Sequence, residues 1–278
     1  MNVRALWLLA LAIAAPAWAG QECTHEIATP HAQAAAADQA LEVAAALDAM
    51  DAPAALLARV GTDLSAHGLH YSHVGIVVRD GGQWRVVHLL NDCGSSDGAM
   101  YVDGLLDFYL AARISLDTAI VWLDIRTATR VAATITDHSA AGLFDPDYNV
   151  IANPRSERYQ NCTGFVLEVL ALAMDEGQVS DRAHAQRLAA DTGFVPHTLH
   201  IPYSRRIVGG LFSANAHFTD HPLRDRLSGE YDVVTVEAIF DWLARNGRVL
   251  RREDWHRARD ELRPAPEQPL CCAPPPRT

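Results

Sequence analysis

The chain has 278 residues, and its 23 basic and 34 acidic side chains give a formal net charge of −11. Hydrophobic residues make up 49% of the sequence and charged residues 21%, which are ordinary proportions for a globular protein. An acidic chain lacks the basic surface on which nucleic-acid binding depends, so we expect no nucleic-acid partner. The sequence contains no lysine, which excludes Schiff-base catalysis and a lysine-containing phosphate-binding loop.

Residues 1–19 have the features of a secretory signal peptide. A single positive charge at Arg4 precedes an apolar run over residues 5–15, and the small residues Ala17 and Ala19 follow it. The run is shorter than the ~20 residues that a membrane-spanning helix needs, and no later stretch is long and apolar enough to span a bilayer. We therefore expect a periplasmic or secreted protein that is cleaved near Ala19 and has no transmembrane segment in the mature chain.

The mature chain begins with an alanine-rich segment that predicts two helices within residues 34–59, broken near Pro53. Near the other end, the arginine-rich run over residues 248–259 alternates with acidic residues, and we interpret it as the solvated face of a helix. The predicted parts of the mature chain are an N-terminal helical extension over residues 20–66, a core over residues 67–192, a C-terminal extension over residues 193–263 that packs on the core, and a proline-rich tail over residues 264–278.

The core is predicted to alternate between strands and helices. Its first two strands are separated by Asp80-Gly81-Gly82-Gln83, a strong hairpin signal. In chain order, the predicted elements are strands over residues 69–79 and 84–90, a helix over 101–114, a strand over 118–125, a helix over 127–141, a polar loop over 144–160, helices over 162–174 and 181–190, a strand over 233–236 and a helix over 238–245.

Two histidines share one face of the predicted hairpin. If Asp80-Gly81 forms the turn, His73 and His88 are directly opposite each other, with Cβ atoms about 5 Å apart. If Gly81-Gly82 forms the turn, Gly75 is opposite His88 instead. Both registers leave the two imidazoles on the same face, because side chains alternate between the faces along a strand.

Cys162 is predicted to be the first residue of a helix. Asn161 is a good N-cap residue, and the exposed N–H groups of a helix start stabilise an anion. We therefore expect a lowered pKa for the Cys162 thiol, which is the setting that a nucleophilic cysteine needs. Gly164, in the first turn of this helix, allows close approach of another backbone or of a substrate.

The five cysteines of the chain are an odd number. In an oxidising compartment, this suggests two disulfides and one free thiol. We expect Cys162 to be the free thiol and the other four to form the disulfides, with their pairing left open. Those four are Cys23, Cys93, Cys271 and Cys272.

The order of these motifs resembles the circularly permuted branch of the NlpC-like papain-fold cysteine hydrolases. A His-x-Gly strand at His73, a second polar strand position at His88 and an Asn-Cys-x-x-Phe helix start at Asn161 follow one another as in that branch. The resemblance covers residues 69–175. It implies an α+β, permuted papain-like fold in which an antiparallel sheet packs against the cysteine-bearing helix. The chain also resembles an exported bacterial family described only as a domain of unknown function.

The resemblance implies a role for each of three residues. Cys162 is expected to be the nucleophile, His73 the general base and His88 the residue that orients the base, with no cofactor. Asn91 or Asp92, just beyond the same strand, are alternatives for the orienting role. Tyr71 and Tyr159 are further candidates for lining the site, and the backbone N–H of Cys162 is expected to bind the oxyanion.

The implied activity is acyl transfer through a thiolate. Export favours an amidase or peptidase that acts on cell-wall peptides, whereas the permuted branch also resembles lipid acyltransferases and thioesterases. The sequence does not choose between a peptide amide and a lipid acyl substrate.

Two other classes of function stay open. A metal enzyme is suggested by His67, His70 and His73 at intervals of three residues, although a spacing of three on a strand sends side chains to opposite faces. The pair His217 and His221 lacks the glutamate of a zinc-protease helix. The other class is a non-catalytic binding protein that keeps a papain-like scaffold.

Overall fold

The computed structural model describes residues 29–92, 94–111, 114–175, 178–206 and 214–257. These residues form an α+β fold, in which a six-stranded antiparallel sheet has the order β4-β3-β2-β1-β5-β8. A separate two-stranded sheet pairs β6 with β7. The helices described are α1 (Pro30–Asp48), α2 (Leu105–Leu110), α3 (Ile125–Thr136), α4 (Cys162–Met174), α5 (Arg182–Asp191), α6 (Leu223–Ser228) and α7 (Val236–Arg245). The strands described are β1 (Ala54–Arg59), β2 (His73–Asp80), β3 (Gln83–Asn91), β4 (Gly98–Gly104), β5 (Thr118–Leu123), β6 (His197–His200), β7 (Glu230–Val233) and β8 (Val249–Trp255).

Apolar cores lie on both faces of the large sheet. Ala54, Leu56 and Ala58 of β1 point to one face, where they meet α3, α4 and α7. Ala55 and Leu57 point to the other face, which α1 and α2 cover. A strand that is buried on both faces reads as a continuous apolar run without alternation.

This burial explains why the prediction of a helix over residues 54–59 was wrong. All six residues of β1 are buried, and the strand pairs with β2 on one side and with β5 on the other. A short apolar run in an alanine-rich context cannot be separated from a helix by periodicity. Helix α1 ends at Asp48, and Pro53 stands directly before the strand.

Two further segments also differ from their predicted structure. The helix expected over residues 101–114 is strand β4 followed at once by the short helix α2. The arginine-rich run is edge strand β8, in which Arg251 pairs with Glu253 and Arg252 with Asp254. Partners two residues apart lie on the same face of a strand, and charged side chains are usual on an exposed sheet edge.

The large sheet combines segments from several predicted parts of the chain. Strand β1 precedes the boundary expected after residue 66, and β8 follows the one expected after residue 192, yet both pair with β5 in the same sheet. None of the described helices has the length and apolar character to cross a membrane. The predicted signal peptide, the proline-rich tail and the four cysteines expected to form disulfides lie outside the described residues.

Candidate active site

The hairpin of β2 and β3 fixes how the two histidines meet. Ile76 pairs with Val87 and Asp80 with Gln83, so Gly81 and Gly82 form the turn. Both turn glycines have positive φ values, 55° and 81°, as a two-residue type I′ hairpin turn requires. The second of the two registers considered from the sequence is therefore the correct one.

In this register, His73 and His88 are diagonal neighbours on one face of the sheet. His73 Nε2 lies 2.8 Å from His88 Nδ1, and His88 Nε2 lies 3.0 Å from Asp103 Oδ2 on β4. The three side chains form a hydrogen-bonded chain across three adjacent strands. Both imidazoles are buried, which makes each hydrogen bond of this chain costly to lose.

The carboxylate at the end of the chain determines the tautomers of both rings. Because a carboxylate only accepts, Nε2–H of His88 donates to Asp103 and Nδ1 of His88 accepts from Nε2–H of His73. The remaining ring nitrogen of His73, Nδ1, then has a free lone pair. The hydrogen bond from His88 lowers the pKa of Asp103, so this carboxylate is ionised at neutral pH.

Burial keeps both histidines neutral. The pKa of His73 lies well below its ordinary value because of desolvation, the nearby charge of Arg59 and the presence of His88. The pKa of His88 is lowered by desolvation as well, although its hydrogen bond to Asp103 opposes this shift. A neutral imidazole with a free lone pair is the form in which histidine acts as a base.

Gly75 gives the second imidazole the space to lean toward the first. A Cβ atom at Gly75 would lie 2.5 Å from Val86 Cγ1 and 3.2 Å from His88 Cβ. The Val86 and His88 side chains therefore occupy the space that a side chain at this position would need. Phe108 of α2 covers both rings, with centroid distances of 5.8 Å to His73 and 5.4 Å to His88.

Arg59 brings a positive charge to this side of the sheet. It pairs with His73 across β1 and β2, is 3% exposed and donates through Nη1 to the carbonyl oxygen of Phe108. Desolvation lowers its pKa to about 10. Its Nε has no hydrogen-bond partner within the described part of the chain, and its charge acts on both His73 and Cys162.

Cys162 begins α4, as expected. Asn161 Oδ1 accepts the N–H of Gly164 at 2.8 Å, while Asn161 Nδ2 donates to the carbonyl of Val150. The thiol is free and buried and accepts hydrogen bonds from the N–H groups of Val74 and Thr163. It therefore lies against the main chain of the residue that follows His73.

The expected lowering of the thiol pKa was wrong. Desolvation raises the pKa of Cys162 to about 11, although the surrounding N–H groups and Arg59 act in the opposite direction. The N-terminal position on a helix favours the thiolate only weakly when the thiol is removed from water. Tyr148 lies beside the thiol, and its own pKa is raised well above the ordinary value by burial and by Cys162.

The structure relates the three predicted residues through two separate contacts. It joins His73 and His88 directly, and it brings the Cys162 thiol to the β2 main chain next to His73. Within the described residues, the hydrogen-bonded side-chain chain runs from His73 through His88 to Asp103, without Cys162. Helix α4 packs on the sheet face of Val74, whereas both imidazoles contact Phe108 on the other face.

The region that contains this site matches one known protein family. A family model described as an uncharacterized protein conserved in bacteria, DUF2145, covers residues 46–243. The chain belongs to this bacterial family. No curated protein and no solved structure matches the chain. All residues of the site described above lie within the range that the family covers.

Three residues of the site were missed in the sequence. Asp103 and Arg59 lie in segments predicted to be helices, where their cross-strand neighbours could not be recognised, and Tyr148 lies in the predicted loop. The other orienting candidates have different partners: Asn91 donates to the carbonyl oxygens of Asp92 and Ser95, and Asp92 accepts from Tyr101. Tyr71 donates to Asp254, and Tyr159 stacks on His217.

Proposed function

We propose that this protein is an exported cysteine hydrolase with a permuted papain-like core, in which Cys162 is the nucleophile and His73 the general base. The proposal depends on the hydrogen-bonded chain of His73, His88 and Asp103, because this chain leaves the free lone pair on Nδ1. That atom is the ring nitrogen nearer to the main chain, and the thiol lies against the main chain at Val74. Asp103 takes the orienting place that an aspartate or asparagine has in nucleophile–base triads.

The reaction requires transfer of the Sγ proton of Cys162 to Nδ1 of His73 around the start of β2, because helix α4 and the two imidazoles lie on opposite faces of the sheet. Sγ then forms a bond to the substrate carbonyl carbon, and the resulting oxyanion accepts a hydrogen bond from the backbone N–H of Cys162. The proton on Nδ1 passes to the leaving group as its bond to carbon breaks. Water, deprotonated by Nδ1, then hydrolyses the thioester and regenerates the thiol.

The thiol and imidazole are both neutral before the substrate binds. This follows from the raised pKa of Cys162 and the lowered pKa of His73. Proton transfer therefore accompanies attack on the carbonyl and does not precede it as a stable ion pair. Arg59 supports this step, because a buried positive charge stabilises the negative charge that develops at sulfur and oxygen.

The substrate class that we propose is the amide of a cell-wall peptide, on the basis of the predicted export. A lipid acyl ester or thioester would use the same thiolate chemistry. The full chain is therefore assayed with two kinds of substrate. For peptidoglycan fragments the readout is the release of amino groups, and for acyl thioesters it is mass spectrometry of the Cys162 peptide.

Three variants make this assay decisive. Cys162→Ser and His73→Gln should abolish turnover, whereas His138→Asn, which replaces an exposed histidine elsewhere, should keep it. Turnover of the peptides supports the amidase, and an acyl group retained on Cys162 with lipid substrates alone supports the acyltransferase. Turnover that survives in Cys162→Ser contradicts the nucleophile assignment.

A non-catalytic scaffold is the second candidate, and a specific observation favours it. Cys162 is 6% exposed and His73 is 5% exposed, and the pKa of the thiol is raised and not lowered. An inert, buried cysteine has these properties. Absence of turnover and of acyl-cysteine with every substrate would support a binding protein.

A further inference from the structure

A second cluster of ionisable side chains lies at one corner of the sheet, outside the proposed active site. His70 precedes β2, Asp117 precedes β5 and His256 follows β8. Because Thr118 and Trp255 pair across β5 and β8, the residues just before β5 and just after β8 meet at the same corner. The cluster therefore depends on tertiary structure, and no local motif in the sequence indicates it.

The three side chains converge on one carboxylate oxygen. His70 Nε2 is 2.9 Å from Asp117 Oδ2, and His256 Nδ1 is 3.6 Å from the same oxygen. One ligand atom from each of the three residues lies within 4.8 Å of the other two. The side chains of His70 and His256 are 46% and 66% exposed, so the cluster is open to solvent and to ions.

We propose that His70, Asp117 and His256 bind a divalent transition-metal ion of the zinc class. Two imidazoles and one carboxylate are a donor set that this ion takes in proteins, with a fourth position left for water. Metal–ligand distances of about 2.0–2.1 Å in tetrahedral geometry place neighbouring donors ~3.3 Å apart. The observed contacts of 2.9 Å and 3.6 Å lie on either side of this value.

Main-chain contacts fix two of the three ligands in place. Asp117 Oδ1 accepts the N–H of Arg257 at 2.8 Å, which leaves Oδ2 for the ion. The backbone N–H of His70 donates to Glu237 Oε1 at 2.9 Å. These contacts hold the ligands close to a binding geometry, which reduces the ordering that an ion must impose.

This site differs from the metal sites that the sequence suggested. Of the three regularly spaced histidines, only His70 belongs to it, because His73 is hydrogen-bonded to His88 on the sheet. His221 donates to the carbonyl of Ile151 and is not part of it. A bound ion would link the segment before β2 to the end of edge strand β8. It would take no part in the proposed acyl transfer.

The test measures binding of Zn²⁺ to the purified full chain by calorimetry and of Co²⁺ by its visible absorption. The variants are His256→Ala and Asp117→Asn, and His138→Asn is the matched control. His256 is two-thirds exposed, so its removal leaves the fold intact, and circular dichroism checks this. Asparagine at residue 117 keeps the acceptor for Arg257 while it removes the negative charge.

We expect the wild type and His138→Asn to bind one equivalent of metal more than His256→Ala or Asp117→Asn. The Co²⁺ complex should show the stronger visible bands of a four-coordinate ion, and these should disappear in the same two variants. Counting the difference in equivalents separates this site from any binding by cysteines. Equal stoichiometry in the wild type and His256→Ala would overturn the proposal, whatever the outcome of the hydrolase assay.

Discussion

His73 and His88 lie on adjacent strands one diagonal step apart, and a 2.8 Å hydrogen bond joins Nε2 of the first ring to Nδ1 of the second. The residue directly opposite His88 is a glycine, which is why the second ring can cross the gap between the strands. The same diagonal step repeats from His88 to Asp103 on β4. Two neutral imidazoles and one carboxylate are thereby arranged in a fixed order of donors and acceptors.

Acidification should destabilise the protein through these two histidines. Their pKa values are lowered in the folded state, so below the unfolded-state pKa of about 6.5 the unfolded chain binds more protons than the folded chain. The stabilisation is fully present above pH ~6.5 and is lost as the pH falls. Urea denaturation at pH 7, 6 and 5 should show a free energy of unfolding that falls progressively with pH, by at most one proton's worth of dependence for each histidine.

The variant His88→Gln assigns this pH dependence to the site. It should reduce the slope of the free energy of unfolding against pH by the contribution of at least one histidine, whereas His138→Asn should retain the wild-type slope. Equal slopes in the wild type and His88→Gln would show that the buried histidines are not responsible.

Gly75→Ala should destabilise the protein by about 1–3 kcal/mol, which is typical of overpacking in a filled core. The added methyl group would lie 2.5 Å from Val86 Cγ1 and 3.3 Å from the carbonyl oxygen of Val87, so the Val86 side chain must move out of its packed position. Gly142→Ala is the matched control, since a Cβ there meets nothing within 4 Å. Urea midpoints that are equal for the two variants would contradict the tight packing of the Val86 and His88 side chains over Gly75.

The sequence predicted those parts of the fold whose pattern is local. Strands β2, β3 and β5 and helices α3, α4, α5 and α7 were expected close to their observed positions, because alternation, a glycine turn and N-cap residues mark them. Strand β1 was missed because both of its faces are buried. Once β1 and β4 are read as helices, Arg59 and Asp103 have no strand neighbours, and their proximity to His73 and His88 cannot be inferred.

The electrostatic state of the site was harder to predict than its position. The sequence places Cys162 at a helix start, where N–H groups lower the pKa of a thiol. Burial is a tertiary property that the sequence does not reveal, and here it is the larger effect. The expected free thiol was confirmed, and its expected acidity was wrong.

Alkylation of Cys162 measures this acidity directly. A thiol with a pKa of about 11 should react at pH 8 on the order of 100-fold more slowly than an ordinary thiol with a pKa of about 8.5. The rate should keep rising with pH beyond 9. Iodoacetamide labelling between pH 7 and 10, with mass spectrometry of the Cys162 peptide, gives the profile, and urea-unfolded protein gives the ordinary thiol for comparison. A plateau below pH 9 in the folded protein would show that the thiol is more acidic than its burial implies.

Arg59→Met separates the contribution of Arg59 to stability from its contribution to the site. The guanidinium is 3% exposed, its Nε lacks a hydrogen-bond partner among the described residues, and the charge of Asp103 offsets only part of its desolvation. A buried charge whose desolvation is only partly compensated is unfavourable, so an apolar side chain of similar length should raise the free energy of unfolding by about 1 kcal/mol. Urea denaturation checks this, and Arg224→Met, at an exposed position on α6, is the matched control.

The same variant should impair the chemistry that the arginine supports. The positive charge lowers the pKa of both Cys162 and His73, so its removal should raise both values. Each unit by which the pKa of the thiol rises slows alkylation at pH 9 about tenfold. The midpoint of the His73 titration, followed by NMR, should move to higher pH. If Arg59→Met is at least as stable as the wild type and its thiol is less acidic, then Arg59 contributes to the reactivity of the site and not to the stability of the fold. An unfolded Arg59→Met protein, or one with an unchanged alkylation profile, would instead assign the arginine to the packing of Phe108.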